Sequence, residues 1–384
     1  MCGIVGYVGA RTAAPLLING LSRLEYRGYD SAGIAVIDTG CIHLRRATGK
    51  LDNLRALLTD EPVAGTVGIG HTRWATHGVP ATRNAHPHAS MDGRFAVIHN
   101  GIVENYVSLR QSLIAEGVTF RSDTDSEVIV QLIARYAANG AGGDLAEATR
   151  QAAARLQGAH AIVALSLHQP DRLVAVRIGH AGGVALGLGD DETFVASDVP
   201  ALLEHTRRLI FLEDGHMATV THDGCQISRL DRTPVQPRIH RVDWDPAQAT
   251  RGEYAHFMQK EIHEQPRCLT DTLRGRVDFT RGAVTLDGLG IDAAAARSLS
   301  RLVTVACGTS YYSALVGKFY FEALARLHTE VDYASEYRYR DPLVDSHTAV
   351  LAITQSGETV DTLAAMEEAR SKQARLFSIV NAVG

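Results

Sequence analysis

Chemistry in this 384-residue chain would begin at Cys2, directly after the initiator methionine in Met1-Cys2-Gly3-Ile4-Val5-Gly6. The side chain is small, which favours methionine removal. Cys2 would then carry a thiol and a free α-amine on one residue. A thiolate is the nucleophile, and an α-amine, with an ordinary pKa of roughly 8, can act as its base. Gly3 leaves room for a substrate, and Ile4-Val5 starts a buried strand that fixes the nucleophile at a strand end. Taken alone, position 2 favours an ordinary first strand with an incidental cysteine. The partners downstream reverse that.

Those partners concentrate between Gly68 and Gly101. Arg73, in His71-Thr72-Arg73-Trp74-Ala75-Thr76-His77-Gly78, offers a planar fork suited to a carboxylate. Trp74 beside it can close over a bound ligand. Asn100-Gly101 follows the apolar strand Phe95-Ala96-Val97-Ile98, and a side-chain amide with a backbone N–H at a strand end can stabilise an oxyanion. The same dipeptide most often marks a hairpin turn. His71, His77, His86, His88 and His99 invite a metal reading, but His86 and His88 bracket a proline and no Cys or Glu completes a ligand set. They read as hydrogen-bonding loop histidines, and no metal is expected. Asp125 or Ser126 is an N-cap candidate for the helix that follows; a carboxylate there can also bind a substrate ammonium.

Elements must hold these residues in place. Residues 12–24 read as an amphipathic helix with Leu16, Leu17, Leu21 and Leu24 on one side. A polar turn follows, in which Arg27 and Asp30 flank Gly28, where backbone can approach another group closely. It leads into the strand Ile34-Ala35-Val36-Ile37. Further strands at 161–165, 173–176, 184–188, 193–196 and 217–220, with paired helices, predict a layered α+β domain ending near Pro237. Residues 238–252 are polar and aperiodic and read as a linker. Residues 253–266 read as a helix reaching Pro266.

From Leu302 the rhythm becomes βαβ, hence a parallel sheet with right-handed crossovers. Strands are expected at 302–306, 329–334, 348–353 and 375–380, with a helix over 311–327. Two small, polar turns, Cys307-Gly308-Thr309-Ser310 and Thr354-Gln355-Ser356-Gly357-Glu358-Thr359, fall at strand C-termini where helices begin. Both places favour anions through N–H groups and the helix dipole. Capping by Ser310 and Thr359 would account for each turn singly; two in one sheet favour a phosphorylated small molecule. The Walker lysine is absent, which argues against a nucleotide-hydrolysing P-loop. The chain stops at Gly384 directly after a strand, so a fragment of a longer protein is expected.

Bulk properties narrow the class. Hydrophobic content of 45% and mean hydropathy of −0.05 fit substantial cores in two or three domains. A net charge of −5 gives no support for nucleic-acid binding. No apolar run reaches the roughly 18 residues of a membrane span, and the start lacks a secretory signal. The five cysteines are scattered, without a CxxC pair, which argues for reduced thiols and a cytoplasmic protein.

The motifs around Cys2, Arg27 to Gly33, His71 to Gly78 and His99 to Gly101 resemble the type 2 glutamine amidotransferase domain. Ala306-Cys307-Gly308-Thr309-Ser310 and Gln355-Ser356-Gly357-Glu358-Thr359 resemble the first sugar-isomerase (SIS) domain of the glutamine:fructose-6-phosphate aminotransferase (isomerising) family. The resemblance implies an α+β N-terminal-nucleophile domain of four layers (αββα) over 2–238, a linker over 239–252 and an incomplete α/β parallel-sheet SIS domain over 253–384. It implies Cys2 as nucleophile and Asn100 and Gly101 as the oxyanion hole. Arg73 would bind the glutamine α-carboxylate and Asp125 its α-amine. Thr76, His77 and Arg27 would complete the pocket, and Trp74 would gate an ammonia channel. Cys307, Gly308, Thr309, Ser310, Thr354, Gln355, Ser356 and Thr359 would line a fructose 6-phosphate pocket. Thr354 stands where many members have serine and keeps the hydroxyl. No redox or metal cofactor is implied, because ammonia passes between the sites. Members of the family commonly form homodimers and continue through a second SIS domain that completes the isomerising site. A glutaminase-only fragment and an SIS-based sugar-phosphate sensor are the competing expectations.

Overall fold

The strands of the N-terminal part carry apolar side chains on both faces, so each sheet must be covered twice. In the strand Gly3–Val8, Val5 and Tyr7 enter one core and Ile4 and Val8 another. In Phe95–Gly101, Ala96 and Ile98 share the second core, whereas Phe95 and Val97 enter a third. Three stacked cores require four layers. The computed structural model, which describes residues 2–75, 77–179, 182–242, 254–286, 289–357 and 359–381, has that arrangement. Helices Ala13–Leu24 and Leu51–Asp60 cover an eight-stranded sheet. That sheet packs on a seven-stranded one, whose far face is covered by Tyr106–Ala115, Glu127–Asn139 and Leu145–Ala153. The strand counts refer to the described residues.

Register carries the site. Gly3–Val8 runs antiparallel between Thr193–Ala196 and Val67–Arg73, with Gly3 opposite Thr72. Cys2 thus lies at the strand's start, level with the far end of Val67–Arg73. The helix Ala13–Leu24 approaches this sheet closely because Gly68 and Gly70 lie under it. A Cβ at Gly68 would come 3.0 Å from Leu17 and one at Gly70 3.1 Å from Leu21. Truncating either fully buried leucine to alanine costs about 2–5 kcal/mol.

The chain divides into two units, Met1–Pro246 and Ala247–Gly384. The second contains four parallel strands in the order His328–Tyr333, Arg301–Ala306, Thr348–Thr354, Arg375–Val380. Helices Thr309–Tyr320 and Val360–Ser371 lie on the crossovers. Val303, Val305, Val350 and Ala352 pack with Ala334, Tyr337, Ala365 and Ala369 into its core.

Four expectations need correction. The helix expected to reach Pro266 runs through it as Phe257–Leu273, although proline cannot donate a helical hydrogen bond there. The helix expected over 311–327 ends at Tyr320 and continues as one π-helical turn, Phe321–Ala325. His240–Arg241, expected in the linker, pairs with Arg208 and Leu209 at a sheet edge; residues 243–252 of that linker lie outside the described residues. Ser126 does stand at the N-cap of Glu127–Asn139, but neither it nor Asp125 caps the helix through its side chain. Asp125 Oδ2 accepts from the Val103 N–H at 2.7 Å, and the Ser126 hydroxyl meets His99 Nδ1 at 2.8 Å.

Candidate active site

Cys2 Sγ sits against the end of Val67–Arg73, where the chain turns out of the sheet. The Trp74 N–H donates to Sγ at 3.1 Å, and the Trp74 carbonyl oxygen lies 3.6 Å from it. Burial pushes the Cys2 thiol above its ordinary value, while the Trp74 N–H pulls it down. A thiol held up in this way needs a base to become a nucleophile. Asn100 approaches from the second sheet: its Nδ2 donates to the Cys2 carbonyl at 2.9 Å. Asn100-Gly101 is therefore the end of a strand rather than a hairpin turn. Gly101 has φ 129°, and a Cβ there would stand 2.1 Å from the Ala159 carbonyl oxygen. Only glycine meets that geometry.

Arg73 is buried. Its Nη2 donates to the carbonyls of His77 and, at 3.1 Å, Gly78, and so ties down the loop after the strand. Its Nη1 lies 3.8 Å from Asp30 Oδ1 and has no hydrogen-bond partner among the described residues. The Asp30 carboxylate accepts the Ala75 N–H, and the Asp30 N–H donates to the Arg73 carbonyl at 3.2 Å. Gly28 lets this turn lie flat on the site strand, since a Cβ would be 2.7 Å from the Arg73 carbonyl carbon. Asp125 Oδ1 is 3.9 Å from His77 Nδ1. The Trp74 ring is half exposed and meets Tyr29 edge-on at 5.3 Å. Arg27 is buried against Asp198, its ion-pair partner. Thr76 lies outside the described residues. Cys2, Arg73, Trp74 and Asn100 thus come together directly, and Asp125 joins through His77. Arg27 supports the fold beside them.

Four of the five histidines, His71, His86, His88 and His99, are buried and make ring contacts or hydrogen bonds with one another and with Asn100, Thr124 and Ser126. His71 and His86 stack with centroids 4.2 Å apart, and His86 meets His88 edge-on at 4.5 Å. His71 Nε2 lies 3.0 Å from Asn100 Oδ1. His99 joins Ser126 Oγ to His160 Nδ1 at 2.8 and 3.1 Å. Burial pushes His71 down to about 4 and His86, His88 and His99 well below the ordinary histidine value. The loop assignment is corrected for three of the five: His71, His88 and His99 lie in strands. Among the described residues no group of three or more His, Cys, Asp or Glu is placed to hold a metal ion.

In the second unit, Gly308 (φ 57°) stands at the N-cap of Thr309–Tyr320 and Thr359 at that of Val360–Ser371. Neither helix has a side-chain cap hydrogen bond, so Ser310 and Thr359 do not cap them. Thr354 organises the second turn: its Oγ1 accepts from the Gly357 N–H at 3.3 Å and lies 3.5 Å from Thr359 Oγ1. Thr362 Oγ1 reaches Cys307 Sγ at 3.9 Å, which links the first turn to the helix after the second. Thr309 and Gln355 are exposed; Ser310 and Ser356 are half-buried; Glu358 lies outside the described residues.

A glutamine amidotransferase domain profile matches residues 71–204, and an SIS domain profile matches residues 297–384. Over all 384 residues the chain is 53% identical to the glutamine--fructose-6-phosphate aminotransferase (isomerizing) of Symbiobacterium thermophilum and 50% identical to that of a Thermus thermophilus strain. The chain is thus similar to these aminotransferases along its whole length. It spans 62% of the length of each of these relatives. A glutamine phosphoribosylpyrophosphate amidotransferase from B. subtilis shares the fold, with a TM-score of 0.54 at 18% identity over 99% of this chain and 82% of its own. The four-layer domain thus has the N-terminal-nucleophile fold, and the parallel sheet of the second unit lies within the SIS match.

Three supporting residues escaped the reading of the sequence as site residues. Asp30 had a signal, the polar density of Tyr26-Arg27-Gly28-Tyr29-Asp30. His71 had one only in its place two residues before Arg73. Ser197 had none: its hydroxyl accepts the Ile4 N–H at 3.0 Å and its N–H donates to the Ile4 carbonyl, from 193 residues away.

Proposed function

We propose that Cys2, after loss of the initiator methionine, hydrolyses the side-chain amide of glutamine, and that the released ammonia serves fructose 6-phosphate, giving glucosamine 6-phosphate and glutamate. The observation that carries this reading is the meeting of Cys2 with the Trp74 N–H at 3.1 Å and with Asn100 at 2.9 Å, beside Gly101. The α-amine takes the thiol proton as sulfur bonds to the amide carbon. The oxygen gains the negative charge and accepts from Asn100 Nδ2 and the Gly101 N–H. The C–N bond then breaks, ammonia leaves with that proton, and water cleaves the thioester to give glutamate. Arg73 Nη1 is the donor for the substrate α-carboxylate, supported by its burial without a hydrogen-bond partner among the described residues. Asp125 and His77 receive the α-ammonium end, with Thr76 and Arg27 completing the pocket. Trp74 acts as the gate, supported by its half-exposed ring.

In the second unit, Cys307 to Ser310 and Thr354 to Thr359 would hold the sugar phosphate through N–H groups and hydroxyls at helix N-termini. Transfer onto the sugar belongs to the longer protein, with a cytoplasmic location and a homodimer as parts of the same reading. No helix among the described residues is long and apolar enough to cross a membrane. The test is glutamate release from glutamine by this chain and by Cys2→Ala, with mass spectrometry of the N-terminus. Activity that survives Cys2→Ala, or fully active material that retains Met1, overturns the proposal.

A further inference from the structure

The side-chain amide of Asn100 can stabilise an oxyanion only in one of its two orientations. Flipped by 180°, it would turn its oxygen toward the developing charge. Nδ2 donates to the Cys2 carbonyl, and Oδ1 faces His71 Nε2 at 3.0 Å. That second contact holds the productive orientation only if His71 carries its proton on Nε2. With the proton on Nδ1, Nε2 would be an acceptor and would favour the flipped amide.

One feature selects Nε2–H over Nδ1–H, and a second keeps the ring neutral. His71 Nδ1 is buried without a well-aligned hydrogen bond among the described residues, although the His99 backbone lies near the ring. Leaving a lone pair there costs less than leaving an N–H there. The ring is only 1% exposed and stacks face to face on His86, so a second proton would bring a charge into the sheet interface. His86 is itself held from behind, because its Nδ1 accepts the His99 N–H at 3.3 Å.

We infer that His71 is a positioning residue of the glutaminase reaction: its Nε2–H locks the Asn100 amide with Nδ2 toward the oxyanion. The inference rests on the glutaminase reading, but the tautomer and the amide orientation are properties of the resting protein.

The test uses the full chain with His71→Leu, which removes the donor at similar size, and His71→Gln, whose Nε2 amide can donate from the same place. The expected result is a fall in kcat for glutamine hydrolysis of about 10- to 100-fold in His71→Leu, with KM changed less than about threefold and kcat recovered at least in part by His71→Gln. Equal kcat in wild type and His71→Leu overturns the inference, as does a glutamine variant no better than the leucine one. ¹⁵N spectra of the wild-type ring provide a readout independent of activity and of variant folding. Neutral Nε2–H between pH 5 and 8 supports the lock, and Nδ1–H overturns it. Should the wild type release no glutamate while the ring is Nε2–H, the glutaminase reading fails and the orientation of Asn100 stands.

Discussion

Both units place their candidate site residues where strands end, yet they hold them differently. Around Cys2 the polar groups are buried and tied to one another: Asn100 to His71 and Cys2, Arg73 to the 77–78 carbonyls, Asp125 to the Val103 N–H. In the SIS turns, Thr309 and Gln355 face outward, and the hydrogen bonds at Thr354 are long, 3.3–3.5 Å. Under the proposed roles, the difference follows from what each place would do. An oxyanion hole stabilises a short-lived charge and loses its advantage if its dipoles must reorganise. A loop that closes on a phosphorylated sugar can take its final order from the ligand. Order built into the protein should therefore fail abruptly on substitution, and order supplied by a ligand gradually.

The sharpest break is Cys2→Ala, expected to lower glutamine hydrolysis by about 10⁴-fold or more while leaving the thermal midpoint nearly unchanged. Gly101→Ala comes next. The added methyl would meet the Ala159 carbonyl at 2.1 Å in a backbone conformation that L-residues avoid. A loss of about 2–3 kcal/mol in a denaturant titration is expected, with kcat down by about 10²-fold as the N–H is displaced. Arg73→Lys keeps the charge but loses the fork. It is expected to raise KM for glutamine about 10-fold or more, and an unchanged KM would remove Arg73 from the carboxylate role.

The histidine group sharpens the comparison through pH. His71, His86, His88 and His99 each have a folded pKa below the unfolded value, so the unfolded chain binds protons that the folded one refuses. Stability is then constant above about pH 7 and falls as pH drops below about 6.5. For His71 the fall continues down to about 4. The contribution of this ring alone is on the order of 3 kcal/mol over that window. Urea midpoints measured from pH 7 to 5 should decline in the wild type and less steeply in His71→Gln, which cannot titrate. Equal slopes would mean that His71 is not held neutral.

Much of this was legible because strands covered on both faces write their burial into the sequence as apolar runs. Thr193–Ala196 and His160–Ser166 fall where those runs do. The αββα layering followed from family resemblance and is carried by those same residues. What was not legible depended on backbone or on distance. The Trp74 N–H at Cys2 Sγ has no side-chain signature, and no local pattern joins Ser197 to Ile4. Asn100-Gly101 has the composition of a turn and only tertiary pairing, Asn100 opposite Ala161, keeps it in a strand. Pro266 looked like a stop because its effect on a helix is local, whereas the helix continues on both sides of it.

The smallest expected effect bears on the second unit. Ser310 could act as a cap or as a ligand for an anion, and these roles separate on substitution. A capping serine costs about 1 kcal/mol when replaced by alanine, but here Gly308 occupies the N-cap and no side chain caps the helix. Ser310→Ala should therefore change the urea midpoint by less than about 0.5 kcal/mol in stability. If the hydroxyl meets the sugar phosphate, the same change should weaken fructose 6-phosphate binding about three- to tenfold by calorimetry, since a hydrogen bond to a charged group is worth roughly 1 kcal/mol or more. A stability loss without a binding loss would return Ser310 to a structural role and leave the neighbouring N–H groups to hold the phosphate.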